Sequence, residues 1–358
     1  MVAGRADRID RYLAALAAEL GTLGRRQALR TLFLGGGTPT HLQPPQLARL
    51  LNDLRTWFAF PADVEFSVEA NPGTLAFDKL QVLAEHGVNR LSLGAQAFHR
   101  DLLRFLERDH EAADIARAVA SARRLHLDVS LDLIFGVPGQ TLAHWRADLD
   151  RALALEPDHI STYGLTYEKG TRLWKSRRAG AVRPLDEDAE LAMYHHAMDR
   201  LDAAGFEHYE ISNFARPGKR SVHNQVYWAN HAYFGFGLGA ARYIEGVRCV
   251  NTRDLDHYLK AVLAGETAVQ QREALPPRER ALETVAVQLR RGEGIERGAF
   301  QVQTGFGLEA LVGHSLAQHL ELGLLQEDAF SVRLTRRGKC VADAVIAEIF
   351  AAAAQGRT

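Results

Sequence analysis

Cysteine is scarce in this chain of 358 residues, which contains only Cys249 and Cys340. The two residues lie far apart and in no recognised spacing. A disulfide framework needs a larger even set of cysteines, and a structural zinc site needs close pairs of them. The sequence therefore supports neither a disulfide-stapled fold nor a cysteine zinc site.

Long apolar runs are also missing, since none reaches the ~18 residues that a membrane-spanning helix needs. The most apolar late segment, residues 340–354, is interrupted at helical spacing by Asp343 and Glu348. The first residues form an amphipathic pattern that contains acids, which is typical of neither a signal peptide nor a transit peptide. We expect a cytoplasmic protein without a transmembrane segment and leave contact with a membrane surface open.

An excess of positive charge is the third absence. Lys and Arg number 43 against 44 Asp and Glu, which gives a net charge of −1. A basic cluster, LTRRGK at 334–339, precedes a helical pattern. It fits a DNA-contacting turn of a winged helix or a solvated turn, and the balanced charge favours the second. We therefore expect no nucleic-acid partner.

Strand and helix patterns alternate over the first two-thirds of the chain, which indicates βαβ units and a parallel sheet. Strands are predicted at 31–34, 64–69, 90–94, 127–134 and 158–165. Helices are predicted at 44–57, 75–86, 99–107, 111–125 and 141–155.

The predicted strands alternate between apolar and polar residues. Within 64–69, for example, Val64, Phe66 and Val68 alternate with two glutamates and a serine. Parallel strands covered by helices on both faces are apolar throughout, so alternation indicates that only one face meets helices. An α/β barrel or partial barrel with a ligand-filled lumen fits this pattern best.

Polar groups gather where these strands end, at the glycines 35–37, Glu69, Gln96 and Asp132. The carboxyl edge of the strands is where α/β barrels carry their chemistry. Each of these residues could instead have a purely structural role. GGGTPT could be a tight turn, Glu69 could cap a helix, and the Gln96 amide could form hydrogen bonds within a loop. GGGTPT also lacks the Lys-Ser/Thr of a phosphate loop. Asp132, between two leucines, needs a partner because burial of a lone carboxylate is costly.

The pattern changes after about residue 175. A helix is expected at about 185–204, followed by a segment rich in aromatics, His and Gly. Residues 275–350 are mainly helical and end in a short strand, a turn and a helix, which suggests a winged-helix-like module. We divide the chain into domains at 1–175, 176–270 and 271–358.

The stretch HNQVYW places His223 next to Tyr227 and Trp228. A single His is most often a structural residue. An imidazole beside amphipathic aromatic rings also suits a flat conjugated ligand with a metal at its centre.

Five ordered motifs resemble one family: TLFLGGGTPT, VEANPGTL, GVNRLSLGAQAF, LDLIFGVPGQT, and YEISNFARPG with HNQVYW. They are similar to radical S-adenosylmethionine proteins related to oxygen-independent coproporphyrinogen III oxidase, and most of all to the heme-chaperone branch. The resemblance implies a partial (β/α)6 barrel followed by a C-terminal, mainly helical module.

The resemblance also implies site residues. Four positions match those that line the S-adenosylmethionine site: Gly36, Gly37, Thr38 and Glu69. Four more match positions that touch a second such molecule in the oxidases: Gln96, Arg108, Asp132 and Thr166. His223 matches the residue proposed to bind heme, and so heme iron, in the chaperone branch. No catalytic residue is assigned.

One family feature is missing, the Cys-x3-Cys-x2-Cys loop that holds a 4Fe-4S cluster after the first barrel strand. This chain has no Cys before Cys249, and its strand at 31–34 matches the family's second strand. Either the chain starts at an internal Met of a longer protein, or it is a cluster-less paralogue. We favour the first, because a missing strand would leave a sheet edge unpaired.

The resemblance therefore implies a heme chaperone that binds heme and S-adenosylmethionine and transfers heme to apoproteins. Two alternatives remain: an oxidase that decarboxylates coproporphyrinogen III, and a binding protein that kept only the barrel. Whether any enzymatic activity is present is left open.

Overall fold

The computed structural model describes residues 6–354. The chain forms two compact units. The sheet unit comprises Ala28–His208 and Ser212–Ser221, and the C-terminal unit comprises, of the described residues, 6–27, Tyr209–Ile211 and 222–354. The domain division at 175/176 and 270/271 stays a prediction.

The described residues form the following strands: β1 Gln27–Ala28, β2 Thr31–Leu34, β3 Phe58–Ala59, β4 Glu65–Ala70, β5 Arg90–Gln96, β6 Asp128–Phe135, β7 His159–Gly164, β8 Glu207–His208, β9 Asn213–Ala215, β10 Ala241–Ile244, β11 Val247–Asn251, β12 Val269–Ala274, β13 Ile295–Glu296, β14 Leu325–Glu327 and β15 Ser331–Leu334.

The helices are α1 Ala6–Gly21, α2 Pro44–Trp57, α3 Phe77–Glu85, α4 Arg100–Phe105, α5 Ala112–Arg124, α6 Leu142–Ala154, α7 Arg172–Arg178, α8 Glu187–Asp202, α9 Val222–Trp228, α10 Leu255–Leu263, α11 Pro277–Gln288, α12 Arg297–Thr304, α13 Leu308–Glu321, α14 Arg336–Cys340 and α15 Ala342–Ala354. Short 3₁₀ turns lie at Pro39–His41 and Pro72–Thr74.

One seven-stranded sheet organises the sheet unit, in the order β2-β4-β5-β6-β7-β9-β8. The first five strands are parallel, β9 runs antiparallel to β7, and β8 runs antiparallel to β9. The α/β partial barrel predicted from the sequence is confirmed, with strand ends shifted by one or two residues. β2 is the terminal strand of this sheet, as expected if it corresponds to a second barrel strand.

The apolar face of the sheet forms the core of this unit. Phe66, Leu91 and Leu131 are almost completely buried, and α5 and α8 pack against the central strands. Full burial of each such side chain contributes about 1.5–3 kcal/mol before entropy is counted. The Trp145 indole N–H donates to the carbonyl of Met193 at 2.9 Å, which joins α6 to α8.

The polar face is crossed at the amino ends of its strands by residues 219–221. The carbonyl of Lys219 accepts from the Arg90 guanidinium at 3.0 Å, and its ammonium donates to Asp128 at 2.6 Å. The hydroxyl of Ser221 donates to Glu65 at 3.3 Å. This end of the polar face is therefore occupied by protein, which leaves the carboxyl edge as the candidate place for a ligand.

The C-terminal unit ends in the winged-helix-like arrangement that the sequence predicts. Helices α11 to α13 are followed by the hairpin β14–β15, and β13 adds to β15. Phe300, Val312 and Val332 lie fully buried in its core. Within residues 6–354, no helix has the length and apolar character needed to cross a membrane.

The N-terminal helix α1 packs on α10 within the same unit. Its Glu19 is 7% exposed and accepts hydrogen bonds from the Gly237 N–H at 2.7 Å, the Asn251 amide at 2.6 Å and the Tyr258 hydroxyl at 2.7 Å. These bonds hold the Gly-rich segment around Gly237, which lies outside any regular element.

Candidate functional site

The three glycines after β2 serve different purposes. A Cβ at Gly35 would lie 2.3 Å from the Phe33 ring and 2.8 Å from the Glu69 carboxyl group. Gly36 has φ of +76°, a conformation that other residues rarely adopt. A Cβ at Gly37 would meet no atom within 4 Å. The turn therefore brings backbone close to Glu69, and it leaves open space beside Gly37.

Glu69 stands near the end of β4 and accepts a hydrogen bond from the Gly36 N–H. The pKa of Glu69 is raised to about 7: burial is the largest cause, the nearby Asp132 adds to it, and the Gly36 N–H partly opposes the shift. Near neutral pH this carboxyl group is thus only partly ionised. A positively charged ligand would favour its ionised form.

Asp132, on the polar face of β6, has hydrogen-bond partners, as expected for a buried carboxylate. Its carboxylate accepts from the Ser92 hydroxyl at 3.0 Å and from the Ser161 hydroxyl. Burial still raises the pKa of Asp132, although both hydroxyls and the charge of Arg90 oppose the shift. Asp132 and Glu69 therefore form an electrostatically unfavourable pair that a cation would relieve.

Gln96, the last residue of β5, has φ of +62°. Its side-chain amide folds back so closely over Gly94 that a Cβ there would lie 2.8 Å from Nε2. A left-handed conformation at a residue other than Gly costs about 1–3 kcal/mol and is concentrated at functional positions. The register between β5 and β6 also shifts here, between Leu93 and Gln96.

Arg108 and Thr166 lie on exposed loops of the same unit, after α4 and β7 respectively. The Arg108 loop is fixed, because buried His110 forms a hydrogen bond of 3.0 Å from Nε2 to the Ala95 carbonyl. Thr38, half-buried, uses its carbonyl to accept from the His41 N–H at 2.9 Å. The structure brings Gly36, Glu69 and Asp132 together, whereas the ligand contacts of Arg108, Thr166 and Thr38 stay predictions.

His223 lies in the C-terminal unit, on the short helix α9 of about two turns. Its Nε2 is 3.0 Å from the Tyr227 hydroxyl, and the two rings are perpendicular with centroids 4.9 Å apart. Burial lowers the pKa of His223 to about 4. The imidazole is therefore neutral at physiological pH, which is the form that ligates metals.

Sequence reasoning missed three residues that continue this cluster: Tyr233, Tyr243 and Arg248. The Tyr227 and Tyr233 rings meet edge to face at 4.6 Å, and Tyr233 exchanges two backbone hydrogen bonds of 2.9 Å with Tyr243. The only signal in the sequence was the density of aromatic residues around position 233, which has no helical or strand period.

The two cysteines do not fit a 4Fe-4S cluster. Cys249 is buried in β11, and Cys340 is half-buried in α14. Across residues 6–354, no group of three His, Cys, Asp or Glu side chains is placed to hold a metal ion. No chemical step through a cluster is therefore derived for this chain.

Comparison with family models agrees with both parts of the structure. The radical SAM superfamily model matches residues 4–152. The HemN C-terminal domain model matches residues 275–341, which include the winged-helix-like module.

Curated relatives match almost the whole chain. The heme chaperone HemW of Bacillus subtilis is 37% identical over 94% of this chain and 90% of its own length. The chain belongs to the HemW family. HemW of Synechocystis is 40% identical over 70% of this chain and 61% of its own length. A mitochondrial relative from Bos taurus, the radical S-adenosyl methionine domain-containing protein 1, is 34% identical over 92% and 78%.

Membership of the HemW family confirms the resemblance inferred from the five motifs. The solved structure of coproporphyrinogen III oxidase (HemN) from Escherichia coli covers 97% of this chain and 84% of its own, with a TM-score of 0.84 and 24% identity. That likeness confirms the fold. The radical SAM family implies S-adenosylmethionine and a 4Fe-4S cluster as family cofactors.

Proposed function

We propose that this protein is a heme chaperone of the HemW type, which binds heme through His223 and hands it to apoproteins. The observation that carries the proposal is the neutral imidazole of His223, held by burial beside the Tyr227 ring. A neutral imidazole offers a lone pair to heme iron, and aromatic side chains pack against a porphyrin. HemW relatives are named heme chaperones.

S-adenosylmethionine belongs at the carboxyl edge of the sheet. Its sulfonium and ammonium groups are positive, and Glu69 and Asp132 supply negative charge where burial has raised the pKa of both. The N–H of Gly36 orients Glu69 toward that place, and the open space at Gly37 leaves room for the ligand. Bound there, the molecule would relieve the repulsion between the two carboxylates. Gln96, Arg108, Thr38 and Thr166 are proposed to complete the contacts.

The partners that follow are heme and heme-receiving apoproteins, whose identity is not specified by the site. A cytoplasmic location remains part of the proposal.

Heme titration of the full chain tests the proposal. Wild-type protein is expected to shift the Soret band of added heme, and His223→Ala to lose that shift. His231→Ala is the matched control, since His231 is exposed and lies just beyond α9. Unchanged spectra in His223→Ala would remove His223 from the site, and a wild type that binds no heme would refute the chaperone function.

The oxidase alternative has its own readout. Incubation with coproporphyrinogen III and S-adenosylmethionine is expected to return the substrate unchanged. A decarboxylated porphyrinogen among the products would replace the chaperone proposal with the oxidase.

A further inference from the structure

His223 and Tyr227 are one helical turn apart on α9, at positions i and i+4, which places their side chains on the same face. The distance of 3.0 Å between Nε2 and the hydroxyl oxygen is a normal hydrogen bond. The nitrogen that points outward from an imidazole is thus occupied by a neighbour from its own helix.

This hydrogen bond can form in two ways, because a phenol and an imidazole can each donate or accept. Either the phenol donates to the Nε2 lone pair, or Nε2–H donates to the phenol oxygen. In the first case Nε2 cannot ligate a metal until Tyr227 releases its lone pair. In the second case the proton on Nε2 must also move to Nδ1 before Nε2 has a lone pair to offer.

Neighbouring groups hold Tyr227 in this position. The rings of Tyr233 and Tyr227 pack edge to face, with centroids 4.6 Å apart and an angle of 87° between their planes. Tyr233 is itself fixed by its two backbone bonds to Tyr243 and by a hydrogen bond to Arg248. Arg248 in turn donates to Glu283 at 2.6 Å. Tyr227 remains 39% exposed, so the hydroxyl can turn toward water when iron displaces it.

We propose that Tyr227 is a displaceable partner of His223, which competes with heme iron for Nε2 and thereby weakens heme binding and speeds heme release. This inference rests on the proposed heme-chaperone function. When heme binds, the Tyr227–His223 hydrogen bond breaks and a bond from Nε2 to iron forms, with no change in oxidation state. On transfer the hydroxyl returns to Nε2, so part of the cost of losing iron is recovered.

The test compares heme affinity and transfer for Tyr227→Phe with those of the wild type. Removal of one competing hydrogen bond is expected to tighten heme binding about three- to tenfold. It should also slow transfer to apomyoglobin by a similar factor. Tyr163→Phe is the matched control, because it removes the hydroxyl of an exposed tyrosine on β7 that is not part of the His223 cluster, and it should change affinity by less than about twofold. Tyr227→Leu, which also lacks the hydroxyl, keeps the test valid if the Phe variant does not fold.

The outcomes distinguish a failure of the Tyr227 inference from a failure of the proposed heme-chaperone function. If wild type binds heme, His223→Ala does not, and Tyr227→Phe matches the wild type, then the inference is wrong and the proposed function stands. Equal tightening in Tyr227→Phe and Tyr163→Phe would also overturn the inference, because the effect would not depend on the hydroxyl that bonds His223. If the wild type binds no heme, both the function and the inference fail.

Discussion

Burial shifts pKa values in opposite directions at the two candidate sites, one of which lies in each unit. At the sheet edge, burial raises the pKa of Glu69 and Asp132, so the carboxyl groups are drawn toward their neutral form. On α9, burial lowers the pKa of His223, so the imidazole also stays neutral. A cationic organic ligand would favour the ionised form of the two carboxyl groups, and a neutral imidazole is the form that ligates a metal such as iron.

The two sites differ in what holds them. The sheet-edge residues are placed by the register of parallel strands and by one close-packed glycine turn. His223 is placed by the short helix α9, which is followed by an irregular segment. That segment depends on long-range hydrogen bonds such as those of Glu19. Damage to either scaffold should therefore affect its own site first.

The largest expected effect is on the scaffold of the C-terminal unit. Glu19→Ala would leave the donors of Gly237, Asn251 and Tyr258 without their acceptor inside the protein. We expect a loss of about 3–5 kcal/mol in the free energy of unfolding, measured by urea titration. Glu85→Ala, on the exposed face of α3, is the control and should change little. A loss below about 1 kcal/mol would mean that water replaces the carboxylate.

The next largest effect is expected on ligand binding at the sheet-edge site alone. Gly35→Ala places a methyl group where Phe33 and Glu69 lie and must push the Glu69 carboxyl group from the Gly36 N–H. Steric strain of ~1–3 kcal/mol should weaken S-adenosylmethionine binding roughly tenfold or more in calorimetry. Gly37→Ala has open space and should bind nearly as the wild type does. Equal losses in both variants would contradict the close-packing explanation.

A smaller effect tests the charge at the same edge. The pKa of Glu69 is raised from 4.5 to about 7 by folding, so the native state holds a proton that the unfolded state releases. Stability from this group is present below about pH 4.5 and is lost as pH rises to about 7. Glu69→Gln should therefore be more stable than the wild type by about 1–2 kcal/mol at pH 8 and about equal to it at pH 4.

The same titration should govern the ligand. Wild-type affinity for S-adenosylmethionine is expected to rise with pH through about 7, because the cation prefers ionised Glu69. Glu69→Gln should bind weakly at every pH. A stability difference between the two proteins that does not vary with pH would argue against a raised pKa of Glu69.

The smallest effect concerns backbone strain. Gln96→Gly relieves the left-handed conformation at φ +62° and should stabilise the protein by about 0.5–1 kcal/mol in a thermal melt. If the Gln96 amide contacts the ligand, the same variant binds S-adenosylmethionine less tightly. Loss of stability instead would show that the packing of the amide over Gly94 outweighs the strain.

The sheet edge could be predicted from sequence because its signals are local. Alternation with a period of two identified the polar face, and the ends of parallel strands share one edge, so Glu69, Gln96 and Asp132 could be grouped before any coordinates. The glycine turn was also evident in the sequence. The separate reasons why glycine is needed at positions 35 and 36 became clear only from the structure, which shows where the Glu69 side chain lies.

The surroundings of His223 were not predictable in the same way. The motif named His223 and Tyr227, and a helical turn brings them together. Tyr233 and Arg248 join them through strand pairing and ion pairs across an aperiodic segment, which no short pattern encodes. Glu19 shows most clearly what sequence patterns cannot predict. Nothing around this acid on an amphipathic helix indicates that its hydrogen-bond donors lie more than 200 positions away.

That separation imposes an order on how the protein is made. Glu19 emerges from the ribosome 218 residues before Gly237, an interval on the order of 10–40 s at ordinary rates of synthesis. Every strand of the seven-stranded sheet is made in that interval. During that time Tyr12 and Ala15 lack the contacts with Tyr258 that they make in the finished protein. Helix α1 thus reaches its place on α10 long after it is made, and its apolar face is exposed in the nascent chain until then.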